Sequence, residues 1–256
     1  MPDAIEYRED GRVAEIVLDR PSVLNAISAE MGIELLDTFK KIEQSHDVDI
    51  VRVSGKGDSF SSGFDLNELR DDMGGMSYGN YRRHAEGKEA IQTLSRRMDK
   101  SDVITVSAVH GNALGAGLEL AIVSDIAIAT QSATLVFPET EIGLSITNGV
   151  TNLLPRAIGL QRAKLLVLTG ERISGREAAE MGLIAEAVPE ENLSGKVDEV
   201  INMILEKTLS GVQSAKYLLN VGRENRYEES LERELNEGLS LLRSEEYQTA
   251  LQEFFG

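Results

Sequence analysis

Two glutamates in glycine-rich company carry the chemistry this chain could do. Glu119 follows Gly111, Gly115 and Gly117, which come just after the apolar run 103–109. Glu139 follows Pro138 at the end of a second apolar run, 134–137. A short β-branched run reads as a buried strand, and the Leu-Glu-Leu-Ala that follows the glycines reads as a helix start. Strand, glycine turn and helix N-terminus together aim free backbone N–H groups at an anion. That anion is either a resting phosphate or an oxygen that becomes negative only during a reaction, as when a carbonyl turns into an enolate. Taken singly, each glutamate has a bland role at the surface or as a cap, since an acid in a first helical turn complements the macrodipole. Taken together, two carboxyl groups beside a nest of donors suit moving a proton and a water across an activated double bond.

Several elements must position these groups. Val13 to Leu18 reads as a strand after the Asp10-Gly11 turn, and residues 20–26 as a loop. Ser28 is an N-cap for a helix carrying Met31, Leu35, Phe39 and Ile42 at helical spacing, to about Gln44. Val48 to Val53 is the next strand. It leads into a loop over 54–66 whose small residues let backbone approach a ligand closely. Residues 71–87 lack periodicity and are expected to form a mobile segment near the site, before a helix ending over 92–98. Strands are expected at 125–130 and 134–137, a loop at 143–149, and helices from Leu153 onward, amphipathic over 231–242.

Composition excludes several function classes. With 43 Asp+Glu against 26 Lys+Arg, the net charge of −17 disfavours a nucleic-acid partner, which demands a basic face. The chain has no cysteine, so disulfides and Cys-based zinc sites are excluded, and nothing in its spacing supports another metal site. The polar N-terminus and short apolar runs predict a soluble, cytoplasmic protein without a membrane partner. The acidity is read as a well-solvated surface or as adaptation to high salt, which screens self-repulsion. The second reading predicts that unfolding free energy rises from low to molar salt; a flat profile refutes it.

Two rival chemistries fail on residues. Gly111-x-x-x-Gly115-x-Gly117 matches a dinucleotide fingerprint, but about a hundred residues precede it and no tyrosine is followed by lysine four positions on. A serine hydrolase lacks its Gly-x-Ser-x-Gly, and His46, His84 and His110 have no evident partner acid.

Five motifs in order carry a resemblance. They are Arg20-Pro21-x-x-Leu24-Asn25-Ala26, Phe60-Ser61-Ser62-Gly63-Phe64-Asp65-Leu66, Val109 to Glu119, Pro138-Glu139-x-x-Ile142-Gly143, and Leu168-Thr169-Gly170 through Leu183 with Val188-Pro189. The chain resembles the crotonase superfamily, the enoyl-CoA hydratase/isomerase family. The resemblance implies an α/β fold, a crotonase-like spiral of ββα units over 1–195 that holds the CoA-binding and catalytic site. A helical C-terminal region over 196–256 would build a homotrimer or a hexamer of paired trimers. It implies an acyl-CoA substrate and no cofactor, the CoA thioester being the substrate itself.

The same resemblance implies roles. The backbone N–H groups of Phe64 and Ala116 would hold the thioester oxygen; the family usually has glycine at 116, but the peptide N–H survives that change. Glu119 and Glu139 fall at the positions of the two catalytic glutamates. Substrate contacts fall on Val23, Leu24, Ala26, Ser62, Gly63, Phe64, Asp65, Leu66, Asn67, Gly115, Ala116, Pro138, Glu139, Ile142 and Gly143. Both glutamates being present favours an enoyl-CoA hydratase. The alternatives are an enoyl-CoA delta isomerase or other acyl-CoA-processing relative, and a CoA-binding scaffold without turnover. One stretch departs from the family pattern: Leu144-Ser145-Ile146-Thr147-Asn148-Gly149-Val150 replaces a glycine-rich loop. Ser145, Thr147 and Asn148 are read there either as polar lining of an acyl pocket or as caps of the next helix.

Overall fold

The structure, a computed structural model, describes residues 4–45, 47–68 and 78–255. A hairpin opens the chain: β1 (Ile5–Asp10) runs antiparallel to β2 (Val13–Leu18), with Gly11 supplying the left-handed turn residue. From β2 onward the large sheet is parallel, through β3 (Ile50–Gly55), β4 (Ile104–Val109), β6 (Ile126–Thr130) and β9 (Glu186–Val188). Its order is β1-β2-β3-β4-β6-β9. All six residues of β4 are buried, Thr105 and Ser107 with the apolar ones, as at the centre of a parallel sheet covered on both faces.

A small second sheet stands beside it, made of β5 (Asn112–Leu114), β7 (Thr134–Val136) and β8 (Ile173–Ser174). A bridge from Ser61 to Ala113 adds one more rung. The chain therefore repeats one path three times: a strand of the large sheet, a rung of the small one, then a helix. The helices closing these turns are α2 (Tyr78–Lys100), α3 (Ala116–Val123) and α4 (Val150–Ile158). This is the expected ββα spiral.

Local chemistry accounts for the first helix. In α1 (Ala29–Ser45) the Ser28 hydroxyl accepts the Met31 N–H at 3.1 Å, and Met31, Leu35, Phe39 and Ile42 are buried in the main core. The segment 71–87 needs a correction. Residues 71–77 lie outside those described, but Tyr78 to Gly87 are helical, the opening turns of α2. Two glycines in ten residues lower helix propensity, which is why the sequence reads as irregular. Packing decides otherwise: a Cβ at Gly87 would sit 2.6 Å from the Ala29 Cα, so the glycine lets α2 close on α1.

The last third is helical: α5 (Leu160–Thr169), α6 (Gly175–Glu180), α7 (Leu193–Leu205), α8 (Leu209–Gly222), α9 (Tyr227–Leu241) and α10 (Glu245–Phe255). Leu193, Val197 and Ile201 of α7 pack on Ile50, Ile104, Val106 and Ile128 of the large sheet. On α8, the buried Lys216 ammonium donates to Asp125 Oδ2 at 2.8 Å and to the Val103 carbonyl at 2.7 Å. Asp125 reaches solvent and keeps the Thr105 N–H and hydroxyl as donors, so Lys216→Ala should lower unfolding free energy by about 1–2 kcal/mol in denaturant titration, chiefly through the unpaired Val103 carbonyl and lost packing. No residue of α9 or α10 is buried, and Leu231, Leu235, Leu239 and Leu242 leave an exposed apolar stripe. No helix among the described residues is long and apolar enough to cross a membrane.

Candidate active site

Two glycine turns touch each other, and that contact builds the site. A Cβ on Gly63 (φ +87°) would lie 2.7 Å from the Leu114 carbonyl oxygen and 3.4 Å from the Ala116 nitrogen. A Cβ on Gly117 would lie 2.6 Å from the Ser61 Cβ. Only glycine at both places lets the 61–64 turn close on the 114–117 turn. The closure brings the Phe64 and Ala116 N–H groups to the same junction. Ala116 opens α3, so its N–H has no partner one turn back. Among the described residues neither N–H donates to a protein acceptor. Two free backbone donors beside a helix N-terminus form a hole for a developing negative oxygen.

The glutamates arrive from two sides. Glu139 starts a short 3-10 turn, Glu139–Ile142, directly after Pro138. Its Oε1 lies so close to Gly115 that a Cβ there would stand 2.7 Å from it. Its Oε2 is buried without a partner among the described residues. Burial pushes the Glu139 carboxyl above its ordinary range. Glu119, in the first turn of α3, is 1% exposed. Its Oε1 accepts the Thr147 N–H at 2.6 Å; its Oε2 accepts the Thr147 hydroxyl at 3.2 Å and the Asn148 amide at 2.5 Å. Burial raises its pKa to about 7, the three donors pull it back, and the Glu139 charge adds to the rise. Like charges repel, so a proton on either carboxyl eases ionisation of the other.

The remaining predicted residues divide by position. Ser62 ties to the early loop, its N–H donating to the Leu24 carbonyl at 2.8 Å and its hydroxyl to the Val23 carbonyl at 3.2 Å. Ile27 bridges to Phe64 in parallel, so 23–27 and 62–65 form one ledge. Asp65 is buried and paired with Arg20 at 3.0 Å, and its other oxygen accepts the Asn67 N–H at 3.1 Å. Ala26 is buried, whereas Leu24, Leu66 and Ile142 expose large apolar side chains. The turns thus gather the ledge, Gly115, Ala116 and Glu139. Ile142 and Gly143 lie further along, at the exposed end of the 3-10 turn.

Sequence reasoning missed the frame beneath this ledge. Asn25, fully buried in a left-handed conformation (φ 55°), donates to the Lys56 and Ser59 carbonyls and accepts the Arg20 N–H. Arg20 also holds the Ala26 carbonyl at 2.5 Å. The buried Ser61 hydroxyl donates to the Asn25 carbonyl at 2.8 Å and accepts the Gly63 N–H at 3.2 Å. Asn25 between Leu24 and Ala26 was the available signal, because Asn tolerates the left-handed region and knots loops with its amide. Neither the Thr147 nor the Asn148 side chain caps α4; Asn148 borders a cavity, and the donors of both go to Glu119.

Comparison with known proteins converges on one family. The enoyl-CoA hydratase/isomerase family model matches residues 8–255. The chain is 30% identical to the short-chain-enoyl-CoA hydratase of Clostridium acetobutylicum, over 84% of this chain and 80% of that protein. It is also 30% identical to the 1,2-epoxyphenylacetyl-CoA isomerase of Escherichia coli, over 94% of this chain and 91% of that protein. Among solved structures, the enoyl-CoA hydratase of Bacillus anthracis superposes with a TM-score of 0.89 at 29% identity, covering 98% and 95% of the two chains.

Proposed function

Since the chain belongs to the enoyl-CoA hydratase/isomerase family, enzymes of the crotonase superfamily, we propose that it is an enoyl-CoA hydratase, adding water across the 2,3 double bond of a 2-enoyl-CoA. The observation that carries this reading is the buried Glu119, in the first turn of the helix that Gly115 opens, with the Glu139 carboxyl packed against that same glycine. The thioester oxygen sits between the Phe64 and Ala116 N–H groups. As it gains charge, the β-carbon becomes electrophilic, and each donor fixed on that oxygen lowers the barrier by about 3 kcal/mol. Glu119 as carboxylate orients a water and takes its proton while the hydroxyl bonds to the β-carbon. Glu139 as the acid gives its proton to the α-carbon. Exchange of one proton between the two carboxyls restores the resting state. The scheme calls for no cofactor beyond the CoA thioester itself.

The Val23–Ala26 and Ser62–Asn67 ledge, with Pro138, Ile142 and Gly143 at its edge, is where the CoA thioester lies. Exposed Leu24, Leu66 and Ile142 offer apolar contact at its rim. Acetoacetyl-CoA, an enolate mimic, should bind in isothermal titration. Turnover over a panel of 2-enoyl-CoA chain lengths should show hydration as loss of the ultraviolet absorbance of the conjugated thioester. Absence of both binding and turnover would end the reading.

One observation favours the second reading, an isomerase. Three of the acceptor positions of Glu119 are already taken by the 147–148 loop, leaving little room for water. An isomerase uses one base that lifts a proton and returns it two carbons away. Conversion of 3-enoyl-CoA without hydration of 2-enoyl-CoA would select it.

The exposed stripe on α9, with Phe254 and Phe255 of α10, supports a homotrimer or a hexamer of paired trimers. Light scattering should give at least a trimer, and deletion after Gly211 should lose both assembly and activity. A monomer in full activity overturns the assembly.

A further inference from the structure

We propose that Thr147 and Asn148 are positioning residues for Glu119, clamping it as a carboxylate with one acceptor position left for a single water. This rests on the hydratase reading above for its meaning in turnover, but its geometry is independent of the substrate. A carboxylate has about four acceptor positions. Thr147 fills one on Oε1 through its N–H and one on Oε2 through its hydroxyl; Asn148 fills the second on Oε2. What remains is a single position on Oε1.

The clamp is built from neutral donors. Among the described residues no cation bonds to Glu119, and the titratable group that faces it is Glu139. Arg96, Asp99, Arg223 and Glu224 lie across Asn148, around a polar cavity of about 360 Å³, and do not bond to Glu119. An arginine would hold the glutamate ionised far below neutrality. Neutral donors favour the carboxylate against burial without removing it from the range where it can accept and release a proton. Val123, one helical turn beyond Glu119, lines the same cavity, so Asn148 stands between that cavity and the carboxylate.

A plainer role for Asn148 must be separated from this one. Its φ of 50° is left-handed, and asparagine is tolerated there for conformation alone. Yet Asn148 is 2% exposed, its Oδ1 has no partner among the described residues, and the one hydrogen bond of its side chain goes to Glu119. A residue kept only for the turn has no need of that amide.

Asn148→Gly separates the two, because glycine keeps the left-handed backbone and removes the donor. Thr147→Val removes the hydroxyl and keeps shape and N–H. We expect Asn148→Gly to lower kcat for 2-enoyl-CoA hydration roughly 10–100-fold, the worth of one hydrogen bond to a charged group, and Thr147→Val to lower it less. The acid limb of kcat should move to higher pH, while acetoacetyl-CoA affinity stays near wild type. A second measurement needs no turnover. An acid whose native pKa lies above its unfolded value loses stability as pH rises between the two. In denaturant titrations from pH 5 to 9 that decline should run on to higher pH in Asn148→Gly, and Glu119→Gln should remove the share that Glu119 carries, leaving that of Glu139, whose carboxyl burial also raises. Wild-type kcat and an unmoved decline in Asn148→Gly overturn the clamp. A chain that hydrates nothing yet shows the shifted decline keeps the clamp and refutes the hydratase.

Discussion

Glu139→Gln is expected to lower 2-enoyl-CoA hydration by roughly 10²–10⁴-fold, the range typical of a positioned general acid or base. Glutamine keeps the size and the contact with Gly115 but carries no transferable proton. Substrate affinity should hold, because the thioester oxygen is gripped by the backbone of Phe64 and Ala116 rather than by either carboxyl. The partner substitution Glu119→Gln decides the reaction. In a hydratase it should fall as steeply as Glu139→Gln, since water then loses its base. In an isomerase it should leave most 3-enoyl-CoA conversion intact. The pH profile adds a sign. Glu119 must be ionised to take the water proton, and its pKa stands at about 7, so kcat/KM should rise through neutrality. Glu139 must hold a proton for its step, and burial raises its carboxyl above the ordinary range, so the rate should fall wherever that proton is lost. Full hydration in Glu119→Gln would remove the two-carboxylate scheme.

Gly115→Ala is the second large effect. At φ +48° a side chain is strained wherever it points, and the new Cβ would stand 2.7 Å from Glu139 Oε1. Glu139 must swing away, and the turn that carries the Ala116 N–H must shift with it. One methyl therefore disturbs the acid and the oxyanion hole together. Loss of one such donor alone costs about 10²–10³-fold in kcat, so the variant should lose at least that, with weakened acetoacetyl-CoA binding. Gly11→Ala is the control: φ is +57° and no atom lies within 4 Å of the added Cβ. It carries comparable backbone strain in the β1–β2 turn, and should lose stability while keeping kcat. If Gly115→Ala kept wild-type kcat and affinity, the contact between Gly115 and Glu139 would have no catalytic meaning.

Much of the frame was legible in the sequence because it is written locally. The strand, glycine turn and helix around Glu119 follow from neighbouring residues, as does α1 with its Ser28 cap and its stripe from Met31 to Ile42. Local chemistry also marks Gly63 and Gly115 as places where backbone must pass closely. The opening of α2 was not legible: its polar, glycine-bearing turns are held as helix by the close contact of Gly87 with Ala29, far away in the chain.

The sequence by itself determined which groups are available: two glutamates, two glycine turns and a parallel α/β frame to carry them. Only the tertiary structure decided what each group meets. Asn25 is a motif residue without an assigned role until folding sets its amide between the Lys56 and Ser59 carbonyls. Thr147 and Asn148 look like pocket lining or caps until α4 places their loop against Glu119, 28 and 29 residues earlier. Gly115 meets Glu139 only because β5 and β7 pair side by side. Periodicity and propensity report on neighbours a few residues apart, whereas a carboxylate's burial, donors and opposing charge come from segments that only packing brings together.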